Sequence, residues 1–141
     1  MDNGCDPVST RTFHLLSGVT PARVWEALTC PELSPRFLHG LTARSCWTTG
    51  EAIELSSEHG LPLAGSVLFS HRPYQLSWTI EDSGSGTCTY LTWHLREAPH
   101  GTVVRLTVEE SNACRSDVED LEDAWLPALA ALDQVLQGQG N

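Results

Sequence analysis

The chain of 141 residues is long enough for one domain with a substantial apolar core. With 18 acidic and 8 basic residues its net charge is −10, and the sequence shows no run of clustered positive charge such as nucleic-acid binding requires. No apolar run approaches the roughly 20 residues of a membrane-spanning helix, and the polar start MDNGCDPVST does not resemble a signal peptide. We therefore expect a cytoplasmic protein that binds neither nucleic acid nor membranes. A single domain is predicted over residues 9–137, with flexible termini at 1–8 and 138–141.

The domain is predicted to begin with one strand and two short helices. Residues 9–17 have the pattern of a strand, and TPARVWEALT then begins a helix that Thr20 can cap and Pro21 can start. Pro31 interrupts this helix, and PELSPRFLHG predicts a second short helix that ends at Gly40.

From residue 41 to about residue 110 the pattern predicts antiparallel strands. LTARSCWTTG and EAIELSS are typical of a hairpin, and GSVLFSH is expected to place Val67 and Phe69 on one face of the next strand. Two later runs, LSWTI and LTWHL, alternate in the same way and direct Trp78 and Trp93 to the same side of the sheet. GTVVRLTVEE predicts the last strand.

The end of the sequence predicts a long helix. Ser116 and Glu119 have the spacing of a capping box at its start. Pro127 lies inside the helix, where it removes a backbone hydrogen bond, and we expect it to kink the helix rather than break it. The apolar stripe, with a spacing of three or four residues, consists of Val118, Leu121, Trp125, Leu129, Leu132 and Leu136.

The order of these elements favours one architecture. Six successive strands must curl to bury one face, and the C-terminal helix is the element long enough to cover that face. The sequence therefore predicts an α+β fold with two short helices after strand one. A curved antiparallel sheet of about six to seven strands would wrap around the long C-terminal helix.

Five segments, in this order, resemble a known family. They are TPARVWEALTCPEL, RFLHGLTARSCWTTGEAIEL, GSVLFSHRPYQLSWTI, LTWHLREAPHGTVVRLTVEE and DAWLPALAALDQVL. Together they resemble the START-like, or SRPBCC, superfamily, and within it the group similar to the C-terminal domain of the heat-shock-protein-90 ATPase activator. The resemblance spans residues 10–136 and implies the helix-grip fold of START-like and pollen-allergen-like proteins.

Two positions depart from the family pattern. This chain has Phe37 where the family usually has a tryptophan or tyrosine. It has His71-Arg72-Pro73 where the family often has an acidic residue and two prolines. Neither change is expected to disrupt the fold.

The resemblance also implies a cavity between the sheet and the long helix. Trp78 and Trp93 would point into it, towards Trp125 on the helix. The same rings could instead fill this space as ordinary core side chains, and the residues alone leave both readings open. The predicted cavity wall consists of Val67, Phe69, Leu76, Trp78, Trp93, Leu106, Leu121, Trp125 and Leu129.

The sequence has no recognisable motif for catalysis or for a metal or cofactor. Its six histidines lack metal-ligand spacing, and there is no G-x-S-x-G and no glycine-rich phosphate loop. Glu54 could act as an acid or base if it faced inward. It alternates with Ile53 and Leu55, which are expected to hold the inner face. We therefore predict no catalytic residue, no metal and no cofactor.

The predicted function is binding of an apolar or aromatic small molecule in a central cavity, without covalent chemistry. Two alternatives stay open. Some relatives are polyketide cyclases or aromatases, whose activity would need polar groups that converge inside the cavity. The resemblance to the heat-shock activator also implies a protein-interaction module with a chaperone-type partner, and the acidic C-terminal helix would be its contact surface.

Overall fold

The computed structural model describes residues 8–58, 63–82, 87–111 and 118–139, and these form one seven-stranded antiparallel sheet and three helices. The strands are β1 (Val8–Ser17), β2 (Thr42–Arg44), β3 (Ala52–Ser56), β4 (Leu63–His71), β5 (Gln75–Asp82), β6 (Thr87–Ala98) and β7 (Gly101–Ser111). The helices are α1 (Pro21–Thr29), α2 (Ser34–Phe37) and α3 (Val118–Gln139). The predicted order of elements is confirmed, and regular structure extends slightly beyond residues 9–137 at both ends.

The strand order in the sheet is β1-β7-β6-β5-β4-β3-β2. Strands β2 to β7 therefore form successive antiparallel pairs, which need only short connections. β1 instead pairs with the last strand, in a register that runs from Val8 opposite Ser111 to Ser17 opposite Thr102. Helices α1 and α2 carry the chain from one edge of the curved sheet to the other.

Helix α1 begins as the sequence predicts. The Thr20 hydroxyl accepts a hydrogen bond from the backbone N–H of Arg23 at 3.3 Å, which satisfies one of the unpaired donors of the first turn. Pro21 occupies the first turn, where its missing N–H costs nothing. Val24 and Leu28, one turn apart, are buried and attach the helix to the core.

A buried serine connects α2 to the sheet. The Ser34 hydroxyl accepts from the backbone N–H of Ala43 at 3.0 Å and donates to the carbonyl of Pro31 at 3.2 Å. The helix itself ends at Phe37, before the predicted end at Gly40. The helix cannot continue because His39 and Gly40, between α2 and β2, adopt positive φ values of 58° and 85°. Residues in a right-handed helix have negative φ values.

The inner face of the sheet is apolar because the strands alternate. Its buried residues are Phe13, Ile53, Leu55, Val67, Leu76, Trp78, Leu91, Trp93, Leu95, Val104, Leu106 and Val108. Helix α3 adds the facing side of the same core cluster with Trp125, Ala128, Leu129, Leu132, Val135 and Leu136. The helix continues through Pro127 without a break. The predicted capping box of Ser116 and Glu119 lies outside the described part of the chain, because Ser116 and the Glu119 side chain are not described.

Gly65 in β4 lies where two neighbouring strands leave no room for a side chain. A Cβ atom there would overlap the carbonyl oxygen of Thr79 in β5, and it would be 3.2 Å from the carbonyl carbon. Because backbone cannot yield as a flexible side chain does, we expect Gly65→Ala to lower the free energy of unfolding by about 1–3 kcal/mol. Urea denaturation measures the change.

The matched control is Gly18→Ala. A Cβ at Gly18 meets no atom within 4 Å, so this substitution should change the free energy of unfolding by no more than about 0.5 kcal/mol. Equal effects of the two substitutions would contradict the close approach of β4 and β5 at Gly65.

Candidate functional site

Two tryptophans lie at the centre of the inner face. Trp78 in β5 is opposite Leu91, and Trp93 in β6 is opposite Leu76 on one side and Leu106 on the other. The two rings are therefore diagonal neighbours on the same face, at a separation that large side chains can span. They are only 1% and 2% exposed, so the prediction that both point inward is confirmed.

A third tryptophan, Trp47, joins them from the connection between β2 and β3. Its ring meets that of Trp78 edge to face, with ring centroids 5.6 Å apart and an interplanar angle of 79°. The backbone is held by two hydrogen bonds: its N–H donates to the Ser45 hydroxyl at 3.0 Å, and its carbonyl accepts from the Ser70 hydroxyl at 2.8 Å. The φ of Trp47 is 57°, an uncommon conformation for a bulky residue.

The indole nitrogens of these three residues are buried donors. Within the described part of the chain, Nε1 of Trp47, Trp78 and Trp93 has no hydrogen-bond partner. An indole N–H can only donate, and a buried donor without an acceptor costs about 1–3 kcal/mol. The cluster of Trp47, Trp78 and Trp93, hereafter the tryptophan cluster, therefore presents hydrogen-bond donors inside an apolar surrounding.

Trp47 also connects the cluster to the surface. A cleft of ≈ 400 Å³ opens beside it, and Trp25 of α1 and Ser70 of β4 are among the other lining residues. The Trp47 ring therefore lies between this cleft and Trp78.

Trp125 lies on the helix side of the core. It is 5% exposed, and its ring meets the His39 ring edge to face with centroids 5.0 Å apart. Partial burial of the imidazole lowers the pKa of His39 below its ordinary value of 6.5. His39 thus contacts Trp125 with one side of its ring, while the residue as a whole is exposed to solvent.

Residues 18–137 match the family described as activator of Hsp90 ATPase homolog 1-like protein. The chain belongs to this family. No functionally curated protein is similar enough in sequence to match it.

Several solved structures show the same fold as this chain. Protein MLL2253 from Mesorhizobium loti has a TM-score of 0.72 at 22% identity over 94% of this chain and 98% of its own. DynU16, a protein in the dynemicin biosynthetic locus, has a TM-score of 0.72 at 21% identity over 93% of this chain and 48% of its own. Ara h 8.0201 has a TM-score of 0.68 at 13% identity over 94% of this chain and 99% of its own. The helix-grip fold is thereby confirmed.

Most residues of the predicted cavity wall are buried in this family member. Those on the inner face of the sheet or the facing side of α3 are Val67, Leu76, Trp78, Trp93, Leu106, Trp125 and Leu129. The side chain of Leu121 lies outside the described part. The predicted wall did not include Trp47. Trp47 lies in the connection between β2 and β3, where no alternating strand pattern shows which way a side chain points.

Phe69 does not belong to the wall, and its predicted position is wrong. The register of β4 and β5 shifts after Val67: Val67 is opposite Trp78, but Phe69 is opposite Ser77. Opposed residues share a face, so Phe69 lies with Ser77 on the outer side, where it is 44% exposed. The extra residue of a β-bulge, Leu68, reverses the alternation at this point.

Glu54 lies on the outer face, as the alternation with Ile53 and Leu55 predicts. It is exposed and lies opposite Arg44 of β2 and Ala64 of β4. The described residues contain no group of three histidine, cysteine, aspartate or glutamate side chains arranged to hold a metal ion. None of the described helices is long and apolar enough to cross a membrane.

The β-bulge predicts different effects for two substitutions that the sequence alone would treat alike. Val67 is 1% exposed, so Val67→Ala should cost roughly 1–3 kcal/mol of unfolding free energy through lost apolar burial. Phe69→Ala removes a larger but outward-facing side chain and should cost less than Val67→Ala. A greater loss for Phe69→Ala in urea denaturation would contradict the register shift.

The lowered pKa of His39 predicts a dependence of stability on pH. The unfolded chain binds a proton at this residue more readily than the folded protein does. The contribution of neutral His39 to the free energy of unfolding is therefore complete above about pH 6.5 and declines as the pH falls. His39→Asn, which tolerates the positive φ, should make the decline of melting temperature below pH 6.5 shallower. His100→Asn, at an exposed turn, is the control, and an equal change there would contradict the assignment to His39.

Proposed function

We propose that this protein binds a small molecule between the sheet and α3, without covalent chemistry. The ligand has a largely apolar or aromatic body and carries at least one hydrogen-bond acceptor. The observation that supports this most strongly is the tryptophan cluster, whose three indole N–H groups have no acceptor among the described residues. The wall residues contribute shape and desolvation, which is how apolar pockets select ligands.

The energetics favour a ligand with an acceptor over a wholly apolar one. Each buried N–H that receives an acceptor recovers much of its desolvation cost, about 1–3 kcal/mol. An apolar molecule of the same shape would gain the same burial of surface but leave the donors unpaired. The tryptophan cluster would therefore act as a specificity element for a carbonyl, carboxylate or similar group.

Binding is better supported than catalysis because of the polar groups that the interior contains. Apart from the indole N–H groups, the buried polar side chains of the described residues are hydroxyls: Ser17, Ser34, Thr79 and Thr102. Each of them hydrogen-bonds to neighbouring backbone, as with the Thr102 hydroxyl, which donates to the Val19 carbonyl at 2.7 Å. A cyclase would need an acid or base that converges on the substrate, and none of the buried described residues is ionisable.

A matched pair of ligands tests the proposal. Fluorene and 9-fluorenone have the same fused-ring shape, but only fluorenone carries a carbonyl acceptor. We expect the protein to bind fluorenone about tenfold more tightly than fluorene, the effect of one recovered hydrogen bond, when titrations are followed by tryptophan fluorescence. Trp93→Phe keeps an aromatic ring and removes one donor, so this ratio should fall.

Trp125→Phe is the control, because Trp125 is not among the residues with an unpaired indole donor. It should leave the ratio between the two ligands unchanged even if it weakens both. Native mass spectrometry of freshly purified protein gives an independent check, as a co-purified small molecule should appear as an added mass. Failure of both ligands to bind, together with a mass of the protein alone, would overturn the proposal.

A further inference from the structure

The outer face of the sheet carries a line of basic and polar side chains that crosses five strands. The strand register places His14 opposite Arg105, Arg105 opposite His94, His94 opposite Gln75, and Gln75 opposite His71. Opposed residues on antiparallel strands share a face and have Cβ atoms about 4.5–5.5 Å apart. These five residues, hereafter the outer-face row, line one cleft of ≈ 510 Å³.

Arg105, the arginine of the row, has no acidic residue among its described nearest neighbours on the outer face. Across the strands Arg105 is flanked by His14 and His94, and along β7 its outward neighbours are Val103 and Thr107. A chain with 18 acidic and 8 basic residues could readily pair each arginine with a carboxylate. The absence of an acidic cross-strand partner here leaves the guanidinium available to an anion from outside.

A second arginine extends the positive charge of the cleft. Arg96, also exposed, lines the cleft and lies opposite Val103 rather than opposite an acidic residue. The cleft has one carboxylate among its lining residues, that of Glu97, and the Tyr74 hydroxyl donates to Glu97 Oε2 at 3.5 Å. Glu97 thus has a partner of its own at the edge of the cleft.

His94 is electrostatically suited to respond to an anion. Burial, and secondarily the positive charge of Arg105, lower the pKa of His94 below its ordinary value of 6.5. A bound anion would oppose the second cause, because it neutralises Arg105 and attracts a proton to the ring. The cleft can therefore gain positive charge when an anion enters.

We propose that the outer-face row is a binding site for a small oxyanionic ligand, one carrying a phosphate or carboxylate group, centred on Arg105 between His14 and His94. A guanidinium binds two oxygens of such a group through parallel N–H bonds, and the flanking imidazoles can each donate one more. The site is separate from the tryptophan cluster, because outward and inward residues alternate along β6 and β7. Either site can therefore be tested without the other.

Isothermal titration calorimetry of the full chain at low ionic strength, with pyrophosphate and citrate as probes, tests this site. We expect saturable binding of at least one probe, and a loss of about tenfold or more in affinity for Arg105→Gln, since hydrogen bonds to charged groups are worth that much. The control is Arg44→Gln, which removes the same charge from the outer face opposite Glu54. Binding of pyrophosphate alone would identify a phosphate site, and binding of citrate a carboxylate site.

A pH series with sulfate, whose own charge is constant over this range, tests the histidines. The ionisable groups that line the cleft are His14, His71, Tyr74, His94, Arg96, Glu97 and Arg105. Affinity should rise as the pH falls from about 8 to 5.5, and the rise should be smaller in His94→Gln. Melting curves of the variants confirm that they are folded. No saturable binding of any probe to the wild type, or equal losses for Arg105→Gln and Arg44→Gln, would overturn the proposal.

Discussion

The antiparallel pairing of β1 with β7 is the contact on which the rest of the described structure depends. Every other strand pair joins strands that are consecutive in sequence, whereas this one brings together the first and the last strand of the chain. At its end, the Thr102 hydroxyl donates to the Val19 carbonyl at 2.7 Å, and Gly101 lies so close to Ser17 that a Cβ atom would overlap the Ser17 carbonyl oxygen. These contacts fix the point where the chain leaves β1 for α1. The register of this pair also determines which residues lie on each face of the sheet. Phe13 faces the core beside Leu106, and His14 faces outward beside Arg105.

The interior retains features that cost stability. Trp47 holds a positive φ, and the tryptophan cluster keeps three indole N–H groups without acceptors among the described residues. A core selected for stability alone could replace such an indole by a phenyl ring, which has no donor to satisfy. Local departures of this kind are concentrated at functional sites, where binding recovers part of the cost. Trp47, in a connection without an alternating pattern, thus shares this cost with Trp78 and Trp93, which the strand alternation does direct inward.

The sequence predicted the fold well because its signals are local. The alternation in LSWTI and LTWHL was enough to direct Trp78 and Trp93 inward, and Thr20 with Pro21 was enough to begin α1. Phe69 was misplaced because Val67, Leu68 and Phe69 are all apolar, so no alternation shows where the extra residue of the bulge lies. The outer-face row was not predicted for a different reason. Its members come from five strands, and their alignment exists only once the register of four strand pairs is known.

The two proposed sites constrain the same strands from opposite sides. On β6, Trp93 faces the core and its neighbour His94 faces the outer cleft, while on β7 the same holds for Leu106 and Arg105. A slip of one residue between β6 and β7 would reverse the faces of one strand: it would turn the Trp93 indole to solvent if β6 moved, or bury the Arg105 guanidinium if β7 moved, and burying an unpaired charge is very costly. The register from Cys88 opposite Ser111 to Ala98 opposite Gly101 is therefore enforced by the inner and outer faces together. A strand pair with its register fixed in this way can hold a ligand site on each face, because the strands cannot slide to suit one ligand without displacing the residues of the other face.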